Sequence, residues 1–487
     1  MTRESGVLMP VVSLPSPYGV GDFGISAYEF INRLSDTGFS IWQILPLQPL
    51  GYGSSPYQPY SSKAMDELYI SIEWLLEQHL LEESEVEKLH EDSNVIHYAE
   101  VREYKNKLFK IAYARFKPDE AYEAFKKEEW VNNYAIFITL KKKNELKSWL
   151  EWPDAEKFYP EKKKLDLTPL QEQIDYEIFL QYIVLKQWNE LKGYANSRHI
   201  RIMGDIPFYV GHDSDDVWWN KKMFLLDATG HAKFIAGCPP DSFAATGQRW
   251  GNPIYNWKAI EKNDFKFWMD RLEYMSRLYD ITRIDHFRAF YNYWKIPASC
   301  PTAMEGKWIL APGKEFFTAL FKKYPNIQIV AEDLGDGMEG VYKLRDFFHL
   351  KGMCLVQQMF DGHCYEDISE NLIVYTGTHD NYPIEAWYYS LPKEHQEEVD
   401  KELQKLGYGN YGTVDAIIEF TLSRKAETAI LPMFDILRLG EKGRINTPGL
   451  LDEKNWSWKI SSFNSLDKEL GHLHDLLYKY NRLNDYK

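Results

Sequence analysis

Cysteine is scarce in this chain of 487 residues: Cys238, Cys300, Cys354 and Cys364 are the four. They are too few for a disulfide framework and have no metal-ligand spacing. A reducing, cytoplasmic setting is therefore expected. No run of about 18 apolar residues occurs, which excludes a membrane-spanning helix. The opening MTRESGVLMPVVSLPSP has an apolar stretch broken by Pro10 and Pro15 and no small-residue cleavage site, so a signal peptide is not expected. Positive charge is in deficit. Lys and Arg number 57 against 72 Asp and Glu, a net charge of −15. A nucleic-acid partner needs a basic face, which this balance does not offer. The short basic runs Lys141-Lys142-Lys143 and Lys162-Lys163-Lys164 lie beside acids. No GxGxxG and no GxxxxGK motif follows an apolar run, which removes the nucleotide-binding folds. There is no His-x-x-x-His pair, no cysteine cluster and no twelve-residue calcium loop, so no metal or other cofactor is expected.

What is present is aromatic and periodic. Aromatic residues make up 15% of the chain, with 33 Tyr and 16 Trp. A large core accounts for most of them. A groove that stacks flat sugar faces would use the rest. Eight short apolar runs read as buried strands. They are GVLMPVVSL from Gly6, FSIWQILPL from Phe39, IRIMGDIPFYV from Ile200, YDITRIDHF from Tyr279, IQIVAEDLG from Ile327, MCLVQQMF from Met353, NLIVYTGTHD from Asn371 and TAILPMFDIL from Thr428. Helical periodicity fills most of the gaps, as in EIFLQYIVLKQWNELKGYANSR and DFKFWMDRLEYMSRL. Strand alternating with helix predicts parallel βα units, and eight such units predict a closed (β/α)8 barrel of the TIM type, class α/β.

The whole chain, 1–487, reads as one catalytic barrel with two departures from its rhythm. Residues 73–169 are rich in Lys and Glu at helical spacing, with Val101, Tyr104, Leu108 and Ile111 on one face. They read as a helical insertion whose charge runs form a solvated face. Residues 207–257 hold many Gly, Pro, Asp and Trp with little periodicity, and read as a long structured loop covering the active-site face.

Acids follow the predicted strands. The third runs into Asp205, the fourth into Arg283-Ile284-Asp285-His286, the fifth into Glu332-Asp333 and the seventh into His379-Asp380-Asn381. A single Asp there reads first as a helix cap. Several at successive strand ends converge on one barrel mouth, where (β/α)8 active sites lie. Cleavage of a glycosidic bond needs two carboxyl groups, one to protonate the leaving oxygen and one to attack or to activate water. Arg283 lies two residues before Asp285, so both side chains share one side of a strand. Asp333 points away from Glu332 and takes a structural role.

At these residues the chain resembles the amylomaltases, the 4-α-glucanotransferases also called disproportionating enzymes, which are related to the α-amylases. The likeness rests on SPYGVGDFG, LPLQPLGYGSSPYQPYS, GDIPFYVGHDSDDVWWN, GCPPDSFAATGQRWGNPIYNW, RIDHFRAF, AEDLG, TGTHDN, RINTPG and NWSWK, in that order from about Val11 to Trp458. It implies that Asp285 is the nucleophile, Glu332 the general acid/base and Asp380 the acid that grips hydroxyls of the distorted sugar. It further implies that Arg283 holds Asp285, that His379 and Asp205 bind the sugar whose bond is cut, that Tyr57 stacks on that sugar, that Trp250 lines the acceptor side and that Asp241 serves in the long loop. Malto-oligosaccharides, starch or glycogen fragments and glucose are the implied partners, and a retaining transfer of α-1,4-glucan segments is the implied reaction. An α-glucan hydrolase would use the same carboxylates, and a non-catalytic glucan-binding protein would lack one of them. The sequence also departs from the family: Tyr382-Pro383 follows HDN where Asp-Thr is common, Ala289 replaces Gly, Cys238 stands in an aliphatic position and Asp66-Glu67 replaces Asn-Pro.

Overall fold

The computed structural model describes residues 3–240, 245–335, 337–360, 369–409, 412–450 and 452–484. Twelve strands are found among them, in two sheets. Eight form the barrel: β1 (Glu4–Leu8), β2 (Ile41–Gln43), β3 (Arg201–Pro207), β6 (Ile281–Asp285), β9 (Ile329–Ala331), β10 (Gly352–Leu355), β11 (Leu372–Tyr375) and β12 (Thr428–Pro432). All their pairings are parallel, in the order β10-β11-β12-β1-β2-β3-β6-β9. A bridge between Val330 and Lys351 closes the ring between β9 and β10, with the Ala331 amide donating to the Lys351 carbonyl at 2.8 Å. Asp333 reinforces this seam. Its Oδ1 accepts from the Met353 amide at 2.8 Å and its Oδ2 pairs with Arg345. Each of the eight apolar runs overlaps one barrel strand, as their composition predicts.

The helices bury the stripe that their spacing dictates. In Ile25–Thr37 the buried residues are Ala27, Phe30, Ile31, Leu34 and Thr37, and Gly38 ends the helix at φ 98°. In Lys266–Leu278 they include Trp268, Leu272 and Met275. Gly204 next to Asp205 is fixed by contact: a Cβ there would lie 2.2 Å from the Tyr279 ring. No disulfide joins Cys238, Cys300 or Cys354; Cys364 lies outside the described residues. Among the described residues no helix is long and apolar enough to cross a membrane.

Between β2 and β3 the segment 73–169 contains the helices Tyr98–Arg115, Glu120–Phe125 and Glu129–Lys143. Its charges are not all solvated, which corrects the reading of a polar face. Lys105 is fully buried, and its Nζ donates to Asp22 Oδ2 and to the carbonyls of Leu68 and Ile70 at 2.7–2.8 Å. Lys141 is equally buried beside Asp213, over the Tyr60 ring. Each ammonium is sequestered because its three donors meet acceptors; an unpaired one would stay in water.

The segment 207–257 is more regular than its sequence suggests. It carries the helix Asp215–Trp219 and two strands, β4 (Phe234–Cys238) and β5 (Gln248–Pro253). These join β7 (Asn292–Pro297) and β8 (Lys307–Leu310) in an antiparallel sheet of order β5-β4-β7-β8. β4–β5 and β7–β8 are each antiparallel pairs of consecutive strands, and the pairing of β4 with β7, which comes from the chain after β6, joins them into one sheet.

Candidate active site

Strand register assembles the centre of the site. Parallel pairing of β3 with β6 sets Asp205 beside Arg283 and Pro207 beside Asp285. Arg283 Nη1 donates to Asp205 Oδ2 at 2.6 Å and to Asp285 Oδ1 at 3.2 Å. The Tyr57 hydroxyl donates to the same Asp205 oxygen at 2.7 Å. Asp205 Oδ1 is buried without a hydrogen-bond partner. Pairing of β6 with β9 sets Ile284 beside Ala331, so Glu332 follows next to Asp285. His286 has a left-handed backbone at φ 52°. That turn aims its amide at Glu332 Oε2, 2.8 Å away, while the Leu334 amide donates to Oε1 at 3.2 Å.

Asp380 follows β11 in a loop tied by Asn381, whose Oδ1 accepts from the amide and hydroxyl of Thr378 at 2.8 Å. His379 Nε2 lies 3.4 Å from Asp380 Oδ2, and Asn446 Nδ2 donates to Asp380 Oδ1 at 2.6 Å. The Tyr57 ring stacks on His379 with centroids 5.1 Å apart, and Trp456 stands 5.6 Å from Tyr57 and 5.9 Å from His379. On the other flank Trp250 meets His286 edge-on at 4.9 Å, and its carbonyl accepts from Gln58 at 3.1 Å. The structure thus brings Tyr57, Asp205, Arg283, Asp285, Glu332, His379 and Asp380 into one mouth with Trp250 at its edge. Asp241 lies outside the described residues.

The charges follow from this crowding. Burial, with Asp205, Glu332 and Asp380 close by, pushes the Asp285 carboxyl up to about 7 against the pull of Arg283. Burial raises Glu332 as well, opposed by Arg283 and by the His286 and Leu334 amides. Burial would also raise Asp380, but His379, Asn446 and Arg283 outweigh it and hold the group down at about 2. Burial and Arg288 push His286 down to about 4, which leaves it neutral. Asp285 and Asp380 keep 28% and 43% of their side-chain surface open, so the mouth is crowded and not sealed. The two carboxyls repel each other when both are ionised, so a proton on either one relieves the other. One protonated and one ionised carboxyl on adjacent strands is what glycosidic-bond chemistry requires. No group of His, Cys, Asp and Glu able to hold a metal ion occurs among the described residues.

Sequence reasoning missed Asn446, Trp456 and Gln58. Asn446 and Trp456 lie in RINTPG and NWSWK, but nothing local in those motifs marks a contact with Asp380 or with Tyr57.

A (β/α)8 barrel with acids gathered at its strand ends has the architecture of an enzyme, and its neighbouring carboxyls fit the glycosidic-bond class. The comparisons with known proteins narrow that class. Residues 9–465 match the family described as 4-alpha-glucanotransferase. The chain is 38% identical over 501 residues to the 4-alpha-glucanotransferase of Streptococcus pneumoniae serotype 4, covering 99% of this chain and 98% of the relative. It is 37% identical over 510 residues to the chloroplastic/amyloplastic 4-alpha-glucanotransferase of Solanum tuberosum, covering 99% and 87%. The solved amylomaltase from Streptococcus agalactiae in complex with acarbose matches with a TM-score of 0.93 at 33% identity, covering 99% of this chain and all of that one. The chain belongs to the 4-alpha-glucanotransferase family, and it is a transglycosylating enzyme.

Proposed function

We propose that this enzyme moves α-1,4-glucan segments by a retaining double displacement. Asp285 attacks the anomeric carbon while Glu332 protonates the leaving oxygen; Glu332 then takes the proton of the incoming 4-hydroxyl as the covalent intermediate breaks down. Asp380 grips hydroxyls of the distorted sugar. Asp205 and His379 bind that sugar, and Tyr57 stacks on it. Arg283 keeps Asp285 oriented. Trp250 and Asp241 belong to the acceptor side, where the segment 207–257 covers the site and limits water. Donors are malto-oligosaccharides and starch or glycogen fragments, glucose is an acceptor, and the setting is cytoplasmic. The chain works as a single barrel, with 73–169 inserted in it.

The observation that carries the reading is the juxtaposition of an arginine-paired Asp285 with a Glu332 held by two backbone amides. The test separates the two carboxyl roles. With maltotriose, Asp285→Asn and Glu332→Gln should each lose nearly all activity. With α-glucosyl fluoride, whose leaving group needs no proton, Glu332→Gln should recover and Asp285→Asn should not. Equal responses of the two variants would refute the roles. Wild type should turn maltotriose alone into glucose plus a ladder of longer oligomers; glucose and maltose without the ladder would mean hydrolysis.

A further inference from the structure

One departure from the family pattern lies at the rim of the mouth. Tyr382 is two residues beyond Asp380, and it is 44% exposed although aromatic. Its position is not that of a loose surface residue. The Arg444 guanidinium sits 3.6 Å from the ring centroid and covers one face. Gln357 Nε2 donates to the Tyr382 carbonyl at 2.6 Å. Pro383, which precedes the helix Ile384–Ser390, confines the backbone of the residue before it to extended conformations. Arg444 is itself tied to the site. Its Nε donates to the Asn446 carbonyl at 3.1 Å and to Thr447 Oγ1 at 3.0 Å, and the Asn446 side chain holds Asp380. A flat ring is therefore fixed from behind, open in front and linked through two residues to a site carboxylate.

We propose that Tyr382 is a sugar-stacking platform that sets donor preference. It would hold the glucose unit next to the one whose bond is cut, on the non-reducing side. The side follows from the barrel. The leaving group's oxygen must lie at Glu332, on the flank where Trp250 meets His286. The rest of the donor leaves by the flank of Asp380, three strands round the ring from β6. There an exposed aromatic face, stiffened by a cation behind it, matches the apolar face of a pyranose. This inference rests on the functional reading above and names a specificity-determining residue for it.

Glycosyl fluorides test it because all their sugars lie on the donor side. Transfer to glucose is measured for α-glucosyl and α-maltosyl fluoride, and the readout is the ratio of their kcat/KM values. Tyr382→Ala should lower the maltosyl-to-glucosyl ratio about three- to tenfold, mainly through KM, and Tyr382→Phe should keep it. A ratio that stays at the wild-type value in Tyr382→Ala would overturn the platform. That holds if both donors fall together, as displacement of Asp380 would produce, and equally if neither changes. Wild type failing to transfer from either fluoride would overturn the functional reading as well, so the two failures are distinct.

Discussion

Asp285 combines two demands that conflict. The attack proposed for Asp285 needs its charge, yet burial, with Asp205, Glu332 and Asp380 close by, raises its carboxyl to about 7. The linkage has a definite sign. The folded value lies above the unfolded one of about 4, so the native state binds more protons between those pH values. Stability therefore falls as pH rises from about 4 through 7, and stays reduced above. Asp285→Asn removes the charge that causes this. The variant should melt above wild type at pH 8, with a gain on the order of 2 kcal/mol, and the gap should close as pH falls towards 5. A thermal-melt series from pH 5 to 8 decides it; a variant less stable than wild type at pH 8 would contradict the argument. The carboxylates themselves were legible in the sequence because each follows a strand-like apolar run. Asn446 was not, since it reaches Asp380 across 66 residues of chain and no local pattern encodes such a meeting.

At the scale of elements, barrel strands declare themselves and the small sheet does not. Barrel strands are buried on both faces and read as apolar runs. β5 alternates between half-buried and exposed residues, and β8 is largely exposed, so neither leaves such a mark. The insertion's lysines misled for a related reason: composition cannot show that Lys105 and Lys141 meet buried acceptors. The sheet matters because β5 carries Trp250 to the rim of the mouth, where Gln58 ties its carbonyl to the segment bearing Tyr57. If Trp250 offers its ring to an acceptor, Trp250→Ala admits water in the acceptor's place. Products from maltotriose should shift, with the ratio of free reducing ends to longer oligomers rising severalfold at an unchanged melting temperature. Packing alone would lower both activities and the melting temperature together and leave the ratio where it was.

Across the whole molecule the barrel is locked at the seam between its first and last strands. β1 pairs with β12, and Arg482 is buried beside that seam. Its guanidinium donates to the carbonyls of Glu4, Leu422, Arg424, Ala426 and Glu427. Burial, with Arg3 nearby, lowers its pKa to about 9. Arg482→Met keeps much of the volume and removes all five donations, leaving the Leu422 and Arg424 carbonyls only Arg3 and the Glu427 carbonyl only the Glu4 amide. It should cost about 3–5 kcal/mol, read as a lower midpoint in urea, with activity per folded molecule kept because the mouth lies at the other end of the strands. The same clamp sets a schedule for synthesis. Arg482 and Glu4 are 478 residues apart. At roughly 5–20 residues per second the ribosome needs on the order of 20–100 s between them. β1 has no β12 until residue 432 is made and no clamp until Arg482, so for most of that interval one edge of the growing sheet stays open. Until β12 and Arg482 have been made that edge is open to pairing with another copy, and the chain's net charge of −15 opposes such pairing.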